Sequence, residues 1–207
     1  MTTLLVRTHG RWDYLGRSLD SIDLDLFDRK ILSVDGPPPP SPMPGWELLS
    51  TGVRSGLTAN VRQAWDALEN GEEVFDTEDD FVINDLPLDE MRAVLEETPH
   101  LAQMVLERQP VNPAEFANGG LLGADNIPTY YEHNEWREQR HLFSYNPHLR
   151  VHRRGMFPKG WGGTEIEATV RLIASGWTFG FWGAQGDPPR CEHIGVSGGM
   201  GSPGWRP

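Results

Sequence analysis

The 207-residue sequence contains a single cysteine, Cys191, and no long apolar segment. One cysteine excludes an internal disulfide and is typical of a protein in a reducing cytoplasm. We therefore expect the protein to be cytoplasmic. No apolar run approaches the roughly 20 residues that span a bilayer, and the N-terminus lacks the charged and then apolar segments of a signal peptide. These absences predict one globular domain that does not associate with a membrane.

Basic residues are also few, with 18 Lys and Arg against 30 Asp and Glu, which gives a net charge of −12. Residues 66–97 hold thirteen acidic residues and one basic residue, whereas residues 137–159 hold six basic residues and one acidic residue. The acidic block predicts a solvated surface. The basic block indicates contact with a polyanion, such as a diphosphate or a nucleic acid, although a protein this acidic would contact DNA only locally.

Short apolar runs alternate with segments that have the spacing of an amphipathic helix. The predicted strands are Leu4–Thr8, Lys30–Val34, Glu73–Thr77, Leu101–Leu106 and Trp177–Trp182. The predicted helices cover residues 12–22, 61–68, 85–97 and 163–175, and the last has an apolar side formed by Ile166, Val170, Ile173 and Ala174. This order predicts an α/β fold with a mainly parallel sheet and helices on both faces.

Two further segments define the extent of the domain. Residues 107–141 have no clear periodicity, which indicates a long excursion over the functional site. Residues 195–207 are rich in glycine and predict a C-terminal tail, so that the folded domain covers residues 1–194.

Polar residues follow three of the predicted strands: Arg7-Thr8, Asp35 and the triplet Glu78-Asp79-Asp80. Ligands of open α/β sheets bind at the carboxyl ends of the strands. Three consecutive carboxylates after an apolar strand are costly unless a cation neutralises them. Mg²⁺ or Mn²⁺ does so with oxygen ligands and keeps positions open for substrate phosphates. The triplet therefore predicts a divalent metal site, with a solvated acidic turn as the alternative.

Several segments, in order along the chain, resemble those of GT-A-fold glycosyltransferases that use nucleotide sugars. Residues 7–19 resemble the first strand and helix of these enzymes, where the nucleotide base lies. Val34-Asp35-Gly36 resembles a strand end whose aspartate hydrogen-bonds a uracil-like base, and residues 56–60 resemble a helix start near the nucleotide. The resemblance implies a uridine nucleotide bound by Arg7, Thr8, Arg11, Asp35, Gly56 and Asn60.

Two other segments resemble the metal-binding elements of the same family. Glu78-Asp79-Asp80 is similar to the DxD-type motif, and Cys191-Glu192-His193-Ile194-Gly195 resembles a C-terminal element that supplies a metal-binding histidine. The resemblance implies a Mn²⁺ or Mg²⁺ ion held by Asp80, Glu78 and His193. It also implies that Asp79 contacts the donor nucleotide.

Glycosyl transfer needs a base for the acceptor hydroxyl and a cation for the leaving diphosphate. Residues 160–165 resemble the WGGE helix start that places a carboxylate at the acceptor, which implies Glu165 as the catalytic base. A carboxylate is favoured at a helix N-terminus, and Glu167 is the alternative base. Within the basic block, the residues predicted to contact the phosphates of the donor are Arg150, Arg153, Arg154 and Lys159, with a solvated surface as the alternative.

The acceptor is suggested by a narrower resemblance, to compact phage-encoded enzymes that glycosylate 5-hydroxymethylcytosine in DNA. A protein hydroxyl or a saccharide is the alternative acceptor, and no obligate protein partner is predicted. A nucleotidyltransferase would normally have a glycine-rich loop after its first strand, where this chain has only Gly10. A non-catalytic nucleotide-sugar-binding module is the other alternative, and the presence of both the acidic triplet and Glu165 favours an enzyme.

Overall fold

The computed structural model describes residues 1–106, 131–158, 164–184 and 187–195. The strands in these ranges are β1 (Thr2–Thr8), β2 (Arg29–Val34), β3 (Glu47–Ser50), β4 (Glu73–Glu78), β5 (Phe81–Ile83), β6 (Leu101–Leu106), β7 (Tyr131–Glu132), β8 (Trp136–Gln139), β9 (His148–Val151), β10 (Thr178–Trp182) and β11 (Cys191–His193). The helices are α1 (Trp12–Asp20), α2 (Leu57–Asp66), α3 (Leu88–Glu97) and α4 (Glu165–Ala174), with a 3₁₀ turn at Leu24–Leu26.

Nine of the described strands form one sheet in the order β3-β2-β1-β4-β9-β6-β10-β8-β7. Seven of them run in the same direction, and only β9 and β8 run antiparallel to their neighbours. The predicted α/β fold with a mainly parallel sheet is therefore confirmed. The remaining two strands, β5 and β11, pair with each other as a small antiparallel ribbon.

The helices cover both faces of this sheet, as predicted. Side chains of successive strand residues point to opposite faces, so that Leu4 of β1 joins one buried apolar cluster and Leu5 joins the other. Helices α1 and α3 complete the first cluster, through residues such as Met91. Helices α2 and α4 complete the second, through residues such as Trp65 and Leu172.

Helix α4 lies in its predicted place, but the side it buries differs from the apolar side indicated by its sequence. Ile166 and Val170 are each 65% exposed and Ile173 is 39% exposed, whereas Ala168, Thr169 and Leu172 are buried. Polar contacts determine this orientation, because the Thr169 hydroxyl accepts a hydrogen bond from the Phe143 N–H at 2.8 Å.

Several strands were not predicted. Strand β3 follows the proline-rich loop and pairs parallel with β2. Strands β7 and β8 lie within the predicted excursion, where they form a hairpin that pairs with β10; residues 107–130 of that segment lie outside the described residues. Of the predicted tail, residues 196–207 also lie outside them. None of the helices described here is long and apolar enough to cross a membrane.

A buried ion-pair cluster joins β1, β4 and β9 beneath the carboxyl edge of the sheet. The Asp76 carboxylate accepts hydrogen bonds from Arg7 Nε at 2.9 Å and from Arg150 Nη2 at 3.1 Å. Arg150 also donates to His152 Nδ1 at 2.9 Å and packs over the Trp65 ring. The two arginines hold the pKa of Asp76 far below its usual range in spite of its burial. This cluster accounts for polar residues in the middle of an otherwise apolar core.

Candidate active site

The polar residues predicted at strand ends meet at one edge of the sheet. In the parallel register, Thr8 of β1 lies opposite Val34 of β2, and Arg7 lies opposite Glu78 of β4. The chain after each strand is joined to β1, because Asp35 N–H donates to the Thr8 carbonyl at 2.8 Å and Asp79 N–H donates to the Arg7 carbonyl at 3.0 Å. The carboxyl ends of β1, β2 and β4 thus form a single polar surface.

Asp79 is buried at the centre of this surface. Its carboxylate accepts hydrogen bonds from the Thr8 hydroxyl and from the Arg11 guanidinium, whose Nε lies 3.3 Å from Asp79 Oδ2. Burial raises the pKa of Asp79, and the Arg11 charge opposes that effect. Thr8 and Arg11, which were predicted to bind the donor nucleotide together with Asp79, therefore both contact the Asp79 carboxylate.

Asp80 and His193 meet through the β5–β11 ribbon. His193 is paired with Phe81 in the ribbon, and the Ile194 N–H donates to the Asp80 carbonyl at 2.8 Å. As a result, His193 Nε2 lies 3.0 Å from Asp80 Oδ2. Burial would raise the pKa of Asp80, but the hydrogen bond and charge of His193, together with Arg11, hold it at about 2.

This pair fits a divalent cation. Asp80 Oδ1 is buried and has no hydrogen-bond partner among the described residues. A Cβ at Gly195 would lie 2.5 Å from Asp80 Oδ2 and 2.9 Å from His193 Nε2, so that glycine alone leaves the two ligand atoms clear. No group of three His, Cys, Asp or Glu side chains in the described part of the chain could hold a metal by itself. The remaining ligands would be water and substrate phosphates, which is the usual arrangement for Mg²⁺.

Glu78 does not join Asp80 and His193, although it was predicted as a third metal ligand. Its Oε1 lies 3.1 Å from Arg7 Nη1. Burial raises the pKa of Glu78 to about 7, with Arg7 opposing and the neighbouring Asp80 and Asp79 adding to the rise. The physical reason is that Glu78 is the last residue of β4 and pairs with Arg7 of the neighbouring strand β1, whereas Asp79 and Asp80 lie in the turn that follows the strand.

Arg7 supports the edge from below and is only 2% exposed. It bridges Asp76 and Glu78, and the Tyr145 ring lies 4.6 Å from the centre of its guanidinium. Its predicted contact with the nucleotide does not fit this buried position. The structure makes it a link between the ion-pair cluster in the core and the acidic triplet at the surface.

Asp35, Gly56 and Asn60 form the side of the site next to α2. The Asp35 carboxylate accepts hydrogen bonds from the backbone N–H groups of Ser55 at 2.6 Å and Gly56 at 3.0 Å. Gly56 has a φ of 90°, which other residues rarely adopt. Asn60 is buried and donates to the Thr8 carbonyl at 3.1 Å. Gly56 and Asn60 therefore shape this side of the site, and the buried Asp35 joins the end of β2 to the start of α2.

The two candidate bases at the start of α4 differ in their surroundings. Glu165 Oε1 accepts a hydrogen bond from the Tyr145 N–H at 2.6 Å. Burial raises the pKa of Glu165, against the effects of that N–H group and of Arg7. Glu167 is exposed and belongs to a capping box, in which its Oε2 accepts from the Thr164 N–H at 2.9 Å. Residues 160–163 of the predicted helix start lie outside the described residues.

Solved structures of GalNAc-T7 and of S. aureus TarS are similar to this chain. GalNAc-T7, crystallised with UDP, GalNAc and Mn²⁺, superimposes with a TM-score of 0.63 at 12% identity over 94% of this chain and 44% of that one. Residues 1–349 of S. aureus TarS superimpose with a TM-score of 0.58 at 12% identity, over 93% of this chain and 60% of that one. A complex of TarS with UDP gives 0.57 at 12% identity, over 92% and 59%.

The fold is GT-A. No family model matches the sequence, and no curated protein matches it. The chain spans 44–60% of the length of these solved structures. At 12% identity the likeness shows the fold alone.

Arg153 and Arg154 are not brought to this edge of the GT-A sheet. Strand β9 runs antiparallel to β4, which places Val151 opposite Glu73, at the amino end of β4. Arg154 N–H donates to Asn70 Oδ1 at 2.9 Å, on the opposite edge from the acidic triplet. The six residues of β4 separate the two edges by about 16 Å. These arginines therefore do not fit the predicted role at the donor phosphates.

Part of the basic block is buried and does not contribute to the surface that its composition indicates. Arg150 is fully buried on Asp76, and Arg137 is buried in β8. Lys159 lies outside the described residues. The sequence shows how many charges a segment has, but the antiparallel insertion of β9 determines where they point.

Two residues of the GT-A site were missed by the sequence analysis. Tyr145 orients Glu165 through its backbone and packs on Arg7 through its ring, yet no periodic pattern marks it. Gly195 lies against both candidate ligands, but the sequence analysis assigned a role in its C-terminal element to His193 alone. Asp76 could have been recognised, because a carboxylate inside an apolar strand requires a buried cation.

Proposed function

We propose that this protein is a metal-dependent glycosyltransferase that moves a sugar from a UDP-sugar to a hydroxyl acceptor. The observation that carries the proposal is the pair of Asp80 Oδ2 and His193 Nε2, 3.0 Å apart at the carboxyl edge of a GT-A sheet. The UDP and Mn²⁺ bound to GalNAc-T7 and the UDP bound to TarS support the same donor chemistry. The single buried Cys191 supports the cytoplasmic location predicted from the sequence.

The donor would bind along the edge from Asp35 to Asp80. Asp35 would accept a hydrogen bond from the base, and Asp79, held by the Thr8 hydroxyl, would accept from the ribose. Asp80 and His193 would hold the divalent cation, which supplies positive charge to the leaving diphosphate when bound. Arg11 would donate hydrogen bonds to the phosphate oxygens.

Glu165 is the proposed catalytic base. Its Oε1 is anchored by the Tyr145 N–H, and its Oε2 makes no hydrogen bond with a described residue. The burial that raises the pKa of Glu165 makes its carboxylate a stronger base at neutral pH. Glu167 is a weaker candidate, because its carboxylate is engaged in capping α4.

The hydroxyl acceptor could belong to one of three classes of molecule: DNA, protein or saccharide. The narrower resemblance to phage enzymes points to 5-hydroxymethylcytosine in DNA, and a protein hydroxyl or a saccharide is the alternative. The burial of Arg150 and Arg137 removes part of the basic surface that favoured DNA. The acceptor is accordingly proposed as a hydroxyl group, with DNA as the first acceptor to be assayed.

The proposal is tested by incubating the protein and Mn²⁺ with a panel of UDP-sugars and each class of acceptor. Release of UDP, together with a hexose or pentose mass increment on the digested nucleosides, would identify donor and DNA acceptor together. UDP release with unchanged DNA would direct the search to the protein and glycan arms. Binding of UDP without any turnover would indicate a non-catalytic module, and pyrophosphate release from a nucleoside triphosphate would indicate a nucleotidyltransferase. Absence of both UDP binding and turnover would contradict the proposal.

A further inference from the structure

Arg11 lies directly against the proposed cation site. Its Nη1 is 2.6 Å from Asp80 Oδ2, which is the same oxygen that lies 3.0 Å from His193 Nε2. The other side of the guanidinium pairs with Asp79, whose Oδ2 is 3.3 Å from Arg11 Nε. One side chain therefore bridges two neighbouring carboxylates, including the one that would bind the metal.

The guanidinium also supplies the positive charge that this site needs. The side chains of Asp79 and Asp80 are 0% and 2% exposed, and buried carboxylates are unfavourable without a cation. The Arg11 side chain is itself only 18% exposed and its guanidinium lies 5.4 Å from the centre of the Tyr14 ring, so that it is held over the carboxylates. Arg11 thus provides the neutralisation that a divalent ion would provide.

A divalent ion and this guanidinium would repel each other strongly if both remained on Asp80. Unit charges about 4 Å apart interact by several times the thermal energy inside a protein, and the repulsion is larger for a divalent ion. Arg11 and His193 both contact Asp80 Oδ2. This oxygen can therefore bind the Arg11 guanidinium or the divalent ion, but not both at once.

We propose that Arg11 competes with the divalent cation for Asp80, and that metal binding moves its guanidinium off this carboxylate toward the donor diphosphate. The inference rests on the proposed function and extends it, because it makes the phosphate contact of Arg11 depend on the metal. It follows that UDP, by accepting the displaced guanidinium, tightens metal binding beyond its own ligation of the ion.

The competition is tested by titrating the metal-free full-length chain with Mn²⁺ and measuring free Mn²⁺ by electron paramagnetic resonance. Arg11→Met should bind Mn²⁺ at least about tenfold more tightly than the wild-type protein, because a competing charge is removed. Arg17→Met is the matched control, since Arg17 is an exposed arginine on α1, the helix that Arg11 precedes, and it should bind as the wild-type protein does. Equal or weaker binding by Arg11→Met would overturn the inference.

A second measurement covers the case in which Arg11→Met folds poorly. Arg11→Lys keeps the charge but lacks the planar fork that bridges two carboxylates. It should bind Mn²⁺ more tightly than the wild-type protein, but by less than the roughly tenfold gain expected when the charge is removed. In the wild-type protein, the Arg11 Nε–H resonance should shift when Mg²⁺ saturates the site, while that of Arg7 should not. An unmoved Arg11 resonance at saturation would also overturn the inference.

Asp80→Asn separates failure of the inference from failure of the proposed function. If this variant loses Mn²⁺ binding while Arg11→Met gains none, the competition is wrong and the metal site of the proposed enzyme stands. If Asp80→Asn binds Mn²⁺ as the wild-type protein does, the metal site is wrong and the competition at Asp80 fails with it. In that case, binding of UDP to the same samples shows whether the donor site of the proposed function survives.

Discussion

The Asp80 carboxylate and the His193 imidazole lie 3.0 Å apart although 113 positions separate them in the chain. Their meeting depends on the pairing of β5 with β11, in which the strand after the acidic triplet forms a ribbon with the C-terminal segment. A carboxylate and an imidazole at this spacing can bind one ion together. The pairing of β5 with β11 brings the acidic triplet and the C-terminal element together in a single candidate metal site. Substitutions at His193 and Gly195 test this site directly.

Replacing His193 by Ala should weaken Mn²⁺ binding by at least about 100-fold. Substitution of residues that only hydrogen-bond to a metal ligand already lowers metal affinity by about 10–100-fold, and His193 would bind the ion directly. Isothermal titration calorimetry on the full-length chain measures the change. Glu192→Gln is the control, since Glu192 is the exposed neighbour in β11 and should bind as the wild-type protein does. Similar Mn²⁺ affinities in His193→Ala and in the control would remove His193 from the ligand set.

Gly195→Ala should weaken Mn²⁺ binding by about tenfold, which is the scale of a disturbed ligand arrangement. The added Cβ would lie 2.5 Å from Asp80 Oδ2 and 2.9 Å from His193 Nε2, so that the two ligands must shift. Gly16→Ala is the matched control, because a Cβ there meets nothing within 4 Å and the residue lies within helix α1. Calorimetry of both variants compares them, and unchanged affinity in Gly195→Ala would show that the ligands can adjust.

Glu165→Gln should reduce kcat by about 10²–10⁴-fold while leaving the affinity for UDP unchanged, because a general base contributes about that much. Glu167→Gln should instead lower the free energy of unfolding by about 0.3–1 kcal/mol, because it removes a negative charge from the N-terminus of α4, and keep kcat near the wild-type value. Steady-state assays and urea denaturation of both variants separate the two roles. A larger loss of kcat in Glu167→Gln would make Glu167 the base.

Asp76→Asn should lower the free energy of unfolding by about 3–5 kcal/mol, because it leaves Arg7 and Arg150 buried without their shared counterion. Glu96→Gln removes a carboxylate from the exposed side of α3 and should change stability by less than about 0.5 kcal/mol. Urea denaturation at neutral pH measures both. Equal stabilities would mean that Glu78 and the surrounding rings neutralise the arginines without Asp76.

The stability of the protein should fall as the pH decreases from about 6.5 to 4. Burial lowers the pKa of His148 to about 4 and that of His152 to about 3, from 6.5 in the unfolded chain. Between these values the unfolded state binds more protons than the folded state, so that acid favours unfolding. His148 alone should contribute about 2–3 kcal/mol to the loss.

Urea denaturation at pH 7.5, 6 and 4.5 measures this dependence. The low pKa of Asp76 adds to it at lower pH, because its stabilising contribution is lost as the pH falls below the ordinary value of 3.8. His148→Gln, which cannot titrate, should show a smaller loss between pH 7.5 and 4.5 than the wild-type protein. If the free energy of unfolding depends on pH in the same way in both proteins, His148 does not cause the loss of stability in acid.

Much of the fold could be predicted because it depends on local patterns. The apolar runs that become β1, β2, β4, β6 and β10 are short and buried, and the segments between them have helical spacing. Strand β9 was missed because His148 and Arg150 interrupt its apolar pattern, and their burial is possible only with Asp76 on the neighbouring strand. The exposed side of α4 was misassigned for a similar reason, since polar contacts with residues 143 and 145 orient that helix.

The sequence by itself determined the order of the five apolar strands and the four helices, and it placed Thr8, Asp35 and Asp79-Asp80 at strand ends, because hydrophobic periodicity and residue order are properties of the chain alone. Only the tertiary structure decided which of these residues meet. It joined Asp80 to His193, directed Glu78 to Arg7, and carried Arg153 and Arg154 to the opposite edge of the sheet. Those outcomes depend on strand direction and register, which are set by contacts between distant parts of the chain.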